Sequence, residues 1–249
     1  MNCDRIAPFY RIFETAAFGR RLQKHRLVYL TAAAEKRRAL ILGDGDGRFT
    51  EVLTRAYPNL QIDSLELSAG MIAEARKRLT EKENLRLTRG DALEFSFSSS
   101  SYDVVFTHFF LDCFNMDKLT ALITRLAEAL TPDAVWIVSD FRQAPAGWRK
   151  LYSQAWLFTM YRFFKFATGL RTQRMPNYGD VLELAGFKRR KEHISADGLL
   201  ASEWWQRQPV FRAFSQNLYP VTAVLKVGRD MFRFEDSEGV VDSELKGRE

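Results

Sequence analysis

Three short segments carry residue types suited to holding a small polar ligand. The first is Gly43-Asp-Gly-Asp-Gly47. Glycines at alternate positions between a strand and a helix allow tight turning and close backbone approach. The amides at the start of the following helix favour an anionic group such as a phosphate or carboxylate. No Lys-Ser/Thr pair follows, so the loop is not a P-loop, and Arg48 stands where a dinucleotide fingerprint needs its third glycine. Asp44 and Asp46 would repel a pyrophosphate and tolerate a ligand that carries positive charge. The competing reading of the loop alone is a surface turn with its Asp side chains bonded to local backbone.

The second segment ends in Glu66, about 20 residues further on, where an acid at a strand end can accept hydrogen bonds from ribose hydroxyls. Asp63 competes for this role but lies mid-strand. Met71, one turn into the next helix, suits an adenine pocket or the core. The third segment is Gly90-Asp91-Ala92, whose acid is placed to accept from an adenine amine. Each signal alone is weak. Three at the carboxyl ends of successive strands are much stronger, because open α/β sheets bind ligands at that edge. Groups able to move a proton are His108, Asp112, Tyr161 and His193. His108 leads, since it follows the fourth strand at the same edge; contact through its backbone alone is the competing reading. Asp112 would otherwise cap the next helix. His193 is expected on a solvent-facing strand position, and His25 at the surface.

The elements that must position these groups alternate. Residues 4–35 have helical apolar spacing, interrupted at Gly19. Strands are expected at Ala39–Leu42, Leu60–Leu67, Leu85–Arg89, Tyr102–His108 and Ala134–Phe141. Helices are expected at Arg48–Ala56, Ala69–Lys82 and Leu119–Leu130, the last ended by Thr131-Pro132. Beyond Phe141 come an apolar helix, Trp148–Thr168, and a helix at Pro176–Ala185 closed by Gly186. Two strands, Phe187–Ile194 and Leu199–Gln206, follow around an Asp197-Gly198 turn. The pattern is that of an α/β fold with a mostly parallel sheet.

The composition, 249 residues with 46% hydrophobic and 27% charged, fits one globular domain with a full core and excludes a disordered or collagen-like chain. The opening MNCDRIAPFYRIF lacks an apolar leader, and two cysteines are too few for a disulfide framework, so a reducing cytoplasmic location is expected. The three histidines are far apart and form no metal-ligand spacing. The net charge of +6 is regional. Between Arg142 and Lys191 stand eleven basic and two acidic residues, while 229–249 holds four basic and seven acidic and is expected to be flexible.

In order and spacing, DRIAPFY (4–10), ALILGDGDGRFT (39–50), IDSLELSAGMIAEARKRL (62–79), RGDALEF (89–95), YDVVFTHFFLDCF (102–114), LAEALTPDAVWIVSDF (126–141) and LELAGFKRR (182–190) resemble the class I S-adenosylmethionine-dependent methyltransferases, in the group related to the ubiquinone/menaquinone methyltransferases. The resemblance covers residues 4–206. It implies a Rossmann-like seven-stranded, mostly parallel sheet with helices on both faces and a helical lid. Within a single domain over 1–228 it implies an N-terminal cap (1–38), a cofactor-binding core (39–141), a lid insertion (142–180) and the last helix with the C-terminal strands (181–207). S-adenosyl-L-methionine would be the cofactor and S-adenosyl-L-homocysteine the product. Gly43, Gly45 and Gly47 would pass under its methionine part, Glu66 would bind the ribose, and Leu67 and Met71 would flank the adenine. Asp91 and Ala92 would read the adenine edge, Thr107 and His108 would lie under the sulfonium, and Tyr10 would close over the site. The family usually has an acid two residues before the first glycine. Ile41 stands there, and Asp44 or Asp46 is expected to substitute.

Aromatic residues from Trp148 to Phe166 interleave with Arg149, Lys150, Arg162, Lys165, Arg171 and Arg174. Eleven uncharged residues, Leu151 to Tyr161, are too few to span a bilayer. The segment reads as a buried helix with snorkelling cations, or as a lid over an apolar pocket made with Tyr10 and Phe13. Its cations would then meet an acidic group or anionic lipid heads. The expected acceptor is a hydrophobic or aromatic small molecule, methylated on oxygen. A nucleic-acid methyltransferase is disfavoured, because Thr107-His-Phe-Phe110 stands where base-methylating relatives carry Asn/Asp-Pro-Pro-Tyr/Phe. A cofactor-binding protein without transfer activity is the third reading. The oligomeric state is left open.

Overall fold

The computed structural model describes residues 4, 7–79, 83–168 and 176–208. The side chains of Tyr161 and of residues 163–168 lie outside the described residues, as do Arg171, Arg174 and the segment 229–249.

The central strand β1 (Arg38–Leu42) is apolar at four consecutive positions because both of its faces are covered. It pairs in parallel with β2 (Gln61–Glu66) on one side and β4 (Tyr102–His108) on the other. Strand β3 (Leu85–Arg89) extends the sheet beyond β2, and β5 (Leu130–Phe141) extends it beyond β4, both in parallel. The hairpin of β6 (Phe187–Ile194) and β7 (Leu200–Arg207) joins antiparallel to β5 and completes seven strands in the order β3-β2-β1-β4-β5-β7-β6. This is a Rossmann-like mixed sheet. Strand order reverses at β1, whose two neighbours are β2 and β4, and a crevice opens at such a switch point. Strand β6 ends the order; seven of its eight residues are exposed.

Side chains alternate across β1. Leu40 and Leu42 join a core with Leu65, Val105, Trp136 and the buried faces of α5 (Met116–Ala129) and α7 (Tyr178–Leu184). Ala39 and Ile41 face the opposite core, with Ile62, Phe106, Ala32, Ala33 and the apolar side of α3 (Arg48–Ala56). Helices α1 (Ala7–Phe18) and α2 (Arg21–Leu27) are separated at Gly19, which takes a left-handed φ of 59° as the expected interruption. Helix α6 (Gly147–Thr168) buries Leu157 and Met160 against Phe18, Leu22, Phe141 and Leu200. Helix α4 (Ala69–Arg78) is capped by Ser68, whose Oγ accepts from the Met71 amide at 3.2 Å and donates to Asp4 at 2.6 Å. Gly186 closes α7 with a φ of 87°, and Gly198 turns the β6–β7 hairpin with a φ of 77°.

Three expectations are corrected. The fifth helix begins at Met116, capped by Asn115, whose Oδ1 accepts from the Lys118 amide. Asp112 is therefore not the cap. Strand β5 begins at Leu130, not at the expected Ala134, so Thr131-Pro132 lies inside it, and the register shift between Tyr102 and Val104 leaves 131–134 bulged against β4. A proline costs no ladder bond at a bulge. His25 is buried, not superficial. Its carbonyl accepts from the Ser139 and Ser202 hydroxyls, and its Nδ1 lies 2.9 Å from Ser202 Oγ. His193, 5.4 Å away between ring centres, is exposed as expected.

Burial, with the nearby charges of His193 and Arg21, lowers the His25 imidazole from 6.5 to about 4. The unfolded chain then takes up a proton that the folded one refuses, so stability falls as pH drops from 6.5 towards 4. Denaturant unfolding at pH 7 and pH 5 should show the wild type losing about 1–2 kcal/mol more than His25→Asn over that interval.

Candidate active site

Strand pairing carries the three sequence segments to one edge. The Gly43 amide donates to the Leu65 carbonyl at 2.9 Å and the Gly90 amide to the Glu66 carbonyl at 3.0 Å, extending both ladders past the strand ends. A cleft of about 500 Å³ opens there. Gly43, Asp44, Gly45, Glu66, Leu67, Met71, Asp91, Ala92, His108 and Tyr10 all line it. Glu66 lines the cleft and accepts the Gly45 amide on Oε2 at 3.2 Å and the Ser68 amide on Oε1 at 2.9 Å, with the Leu67 amide as a further donor. Burial pushes its carboxyl up, against the pull of those amides. Asp91 spends Oδ1 on the Leu93 amide at 2.9 Å and keeps Oδ2.

The two loop acids part ways. Asp44 lines the cleft and accepts the Thr50 amide at 2.9 Å, capping α3 in place of Gly47, which has no side chain to do so. Burial raises its carboxyl. Asp46 turns away, to Arg48 at 2.8 Å and Arg78 at 3.3 Å. Gly47 likewise faces α4: a Cβ there would stand 2.9 Å from that of Ala75. Gly43 makes room for a side chain as well as for a ligand, since a Cβ would meet Phe110 at 2.5 Å.

Among the described side chains, His108 is the one group proposed to move a proton that is brought to the cleft. It is buried, 4.5 Å from Phe49 between ring centres, and neither ring nitrogen has a hydrogen-bond partner among the described residues. Burial, then the Arg26 charge, hold it well below the usual imidazole range, so it is neutral. Thr107 is not at the cleft, because its hydroxyl accepts the Trp136 indole N–H at 2.9 Å in the core. Asp112 does not line it either. Its amide donates to Asp140 at 3.3 Å, and burial raises both carboxyls. Tyr161 belongs to α6, with its side chain outside the described residues.

Sequence reading missed Arg26, Phe109, Phe110, Phe114, Cys113 and Lys118, all of which line the cleft. Phe109 has a φ of 54°, a left-handed value that is uncommon for a bulky residue. It follows His108 directly. Arg26 is buried, with its guanidinium carbon 5.1 Å above the Phe109 ring. It reaches Glu14 through two bonds, at 3.1 and 3.0 Å, and Glu14 also accepts from Arg48 at 2.9 Å. Burial alone would raise the Glu14 carboxyl; Arg26 and Arg48 hold it below its usual range. Among the described residues no group of three or more His, Cys, Asp or Glu is arranged to hold a metal ion.

Residues 39–133 match the family model described as a methyltransferase domain. The chain is 36% identical over 83 residues to a malonyl-[acyl-carrier protein] O-methyltransferase of Legionella pneumophila, covering 33% of this chain and 28% of that protein. It is 28% identical over 130 residues to one from Halalkalibacterium halodurans, covering 49% and 47%. The chain thus spans half or less of the curated relatives it matches. Two solved structures share its fold. A S-adenosylmethionine-dependent methyltransferase from Archaeoglobus fulgidus aligns with a TM-score of 0.61 at 16% identity, over 80% of this chain and all of that one. The Burkholderia thailandensis 1,6-didemethyltoxoflavin-N1-methyltransferase, solved with 1,6-didemethyltoxoflavin and S-adenosylhomocysteine, aligns with a TM-score of 0.58 at 14% identity, over 82% and 84%.

Glu14 holds the helices over the glycine loop, so Glu14→Gln strands the buried Arg26 charge. Unfolding by urea should show a loss of about 3–5 kcal/mol, several times the effect of Arg55→Gln, which removes an exposed i,i+4 pair.

Proposed function

We propose that this chain, which carries a class I S-adenosylmethionine-dependent methyltransferase domain over residues 39–133, transfers a methyl group to an oxygen of an apolar small-molecule acid. One observation carries the reading: the glycine loop, Glu66 and Asp91 line a single cleft at the switch point of the sheet. The donor set fits the cofactor. Glu66 keeps acceptor capacity for the ribose hydroxyls beyond its amide donors, and the second oxygen of Asp91 suits an adenine amine. Leu67, Met71 and Ala92 supply apolar contact for the ring. Asp44, not Asp46, replaces the acid that Ile41 displaces, and it accepts from the ammonium of the methionine part. The Arg26 guanidinium answers the carboxylate. When bound, the cofactor supplies a methyl group already activated on a sulfonium.

The chain's own contribution is therefore positioning and exclusion of water. Phe109, Phe110 and Phe114 form an apolar wall of the cleft, and exposed Lys118 stands at its rim. That combination selects an apolar body with an acidic end. A carboxylate acceptor is ionised at neutral pH and needs no base. A neutral, weakly basic His108 then orients the acceptor oxygen by hydrogen bonding instead of removing a proton. The O-methyltransferase activity in the names of the curated relatives supports this choice of atom. Tyr10 closes the cleft from α1, and α6 acts as a lid behind Phe109.

Isothermal titration of S-adenosyl-L-methionine and S-adenosyl-L-homocysteine should show binding by the wild type, weakened about 10- to 100-fold in Glu66→Ala, which loses hydrogen bonds to a charged acceptor. Absence of wild-type binding would overturn the cofactor assignment. Methyl transfer should then be assayed on aliphatic and aromatic acids, free and carrier-bound, against phenols and amines. Transfer confined to phenols or amines would overturn the acceptor class, and binding without any transfer would leave a cofactor-binding protein.

A further inference from the structure

We propose that the outer face of α6 docks on an anionic lipid bilayer. Trp148, Leu151, Ala155 and Phe158 recur at i, i+3, i+7 and i+10, and so form one stripe along the helix. It runs for about 15 Å at 1.5 Å per residue. The three large side chains are 66%, 71% and 65% exposed. The opposite face of the same helix is already spent on the protein, with Leu157 and Met160 buried and Trp156 stacked 5.4 Å from Phe18. The outer stripe is therefore a second apolar face of the same helix. Helix α1, which meets α6 through Phe18, exposes Phe9 and Ile12 at i and i+3 as well, 57% and 63% accessible.

Charge selects the occupant. The sequence of α6 holds four basic residues and no acid. Arg149 and Lys150 flank one end of the stripe and Arg162 the other; none of the three forms an ion pair among the described residues. The guanidinium of Arg149 lies over the Trp148 ring and that of Arg162 over the Phe158 ring, each at 5.7 Å. Cations thus rise along the aromatic rings, with indole and alkyl groups between them. A convex helix with this pattern has no pocket for a partner's side chain. It suits a soft interface in which rings enter the acyl boundary and cations meet phosphates. Among the described residues no helix is long and apolar enough to cross a membrane, so the contact is peripheral. The inner face of α6 joins the apolar cluster against which Phe109, a lining residue of the cleft, also packs, so the bilayer would lie on the far side of that cluster from the cleft. The docking itself does not depend on the methyl-transfer reading.

The test is co-sedimentation of the full chain with vesicles of phosphatidylcholine alone or with about one-third phosphatidylglycerol. Binding should require the anionic lipid and fall with salt. Arg149→Gln with Lys150→Gln should weaken it by about 25-fold, at roughly fivefold for each cation near the surface. Trp148→Ser with Leu151→Ser and Phe158→Ser should weaken it at least as much, with unfolding midpoints unchanged because these side chains are exposed. Trp148 fluorescence should shift to the blue on binding. No binding to anionic vesicles, binding indifferent to both variants, or a stripe occupied by a second copy of the chain in sedimentation velocity would each overturn the proposal.

Discussion

A single carboxylate, Glu14, organises the ligand side of this molecule. It holds Arg26 of α2 and Arg48 of α3, and Arg48 in turn holds Asp46, which reaches Arg78 of α4. The N-terminal helices, the glycine loop and the first two helices of the sheet are thereby tied by one alternating chain of charges, much of it buried. A buried charge pair contributes little net stability when compared with apolar packing, yet it is costly to break. Such a network defines position more than it adds free energy. Through Glu14 the network holds Arg26 at the cleft, where its guanidinium lies over the Phe109 ring.

The opposite wall of the cleft is set by backbone conformation. Phe109 takes a left-handed φ where β4 ends, and its amide donates to the Ser139 carbonyl at 2.7 Å, so β5 holds it there. Strain of this kind persists only where surrounding structure over-determines it. The turn lets two consecutive rings face the cleft, which a continuing strand would send to opposite sides. Phe110 then settles over Gly43. The glycine loop and the aromatic wall are therefore mutually dependent, although 66 residues separate them.

Much of this was legible in the sequence. Strands β1 to β4, the glycine loop, Glu66 and Asp91 are local signals, each a run of apolar residues followed by a turn residue or an acid. Parallel pairing of consecutive strands brings them together without further information. Arg26 was not legible, since a lone arginine within a basic helix announces nothing until Glu14 folds over it. His25 was misread for the same reason: its serine partners come from β5 and β7, more than 110 residues away. Asp46 and Thr107 sat in the right motifs, but their side chains were claimed by Arg48 and Trp136. Position along the chain indicates which backbone reaches the edge, while the direction of each side chain is decided by tertiary competition.

The outermost strand carries a consequence of another kind. Strand β6 reads Phe-Lys-Arg-Arg-Lys-Glu-His-Ile and, among the described residues, has no partner beyond it in the strand order. An unpaired strand edge is a template on which other chains can add and grow into aggregates. Four consecutive cations make that addition self-limiting, because a second copy aligned on the same edge would set like charges opposite one another. The charge that looks like a ligand-binding surplus in composition is, on this strand, insurance for solubility during synthesis and folding, when the edge is exposed longest.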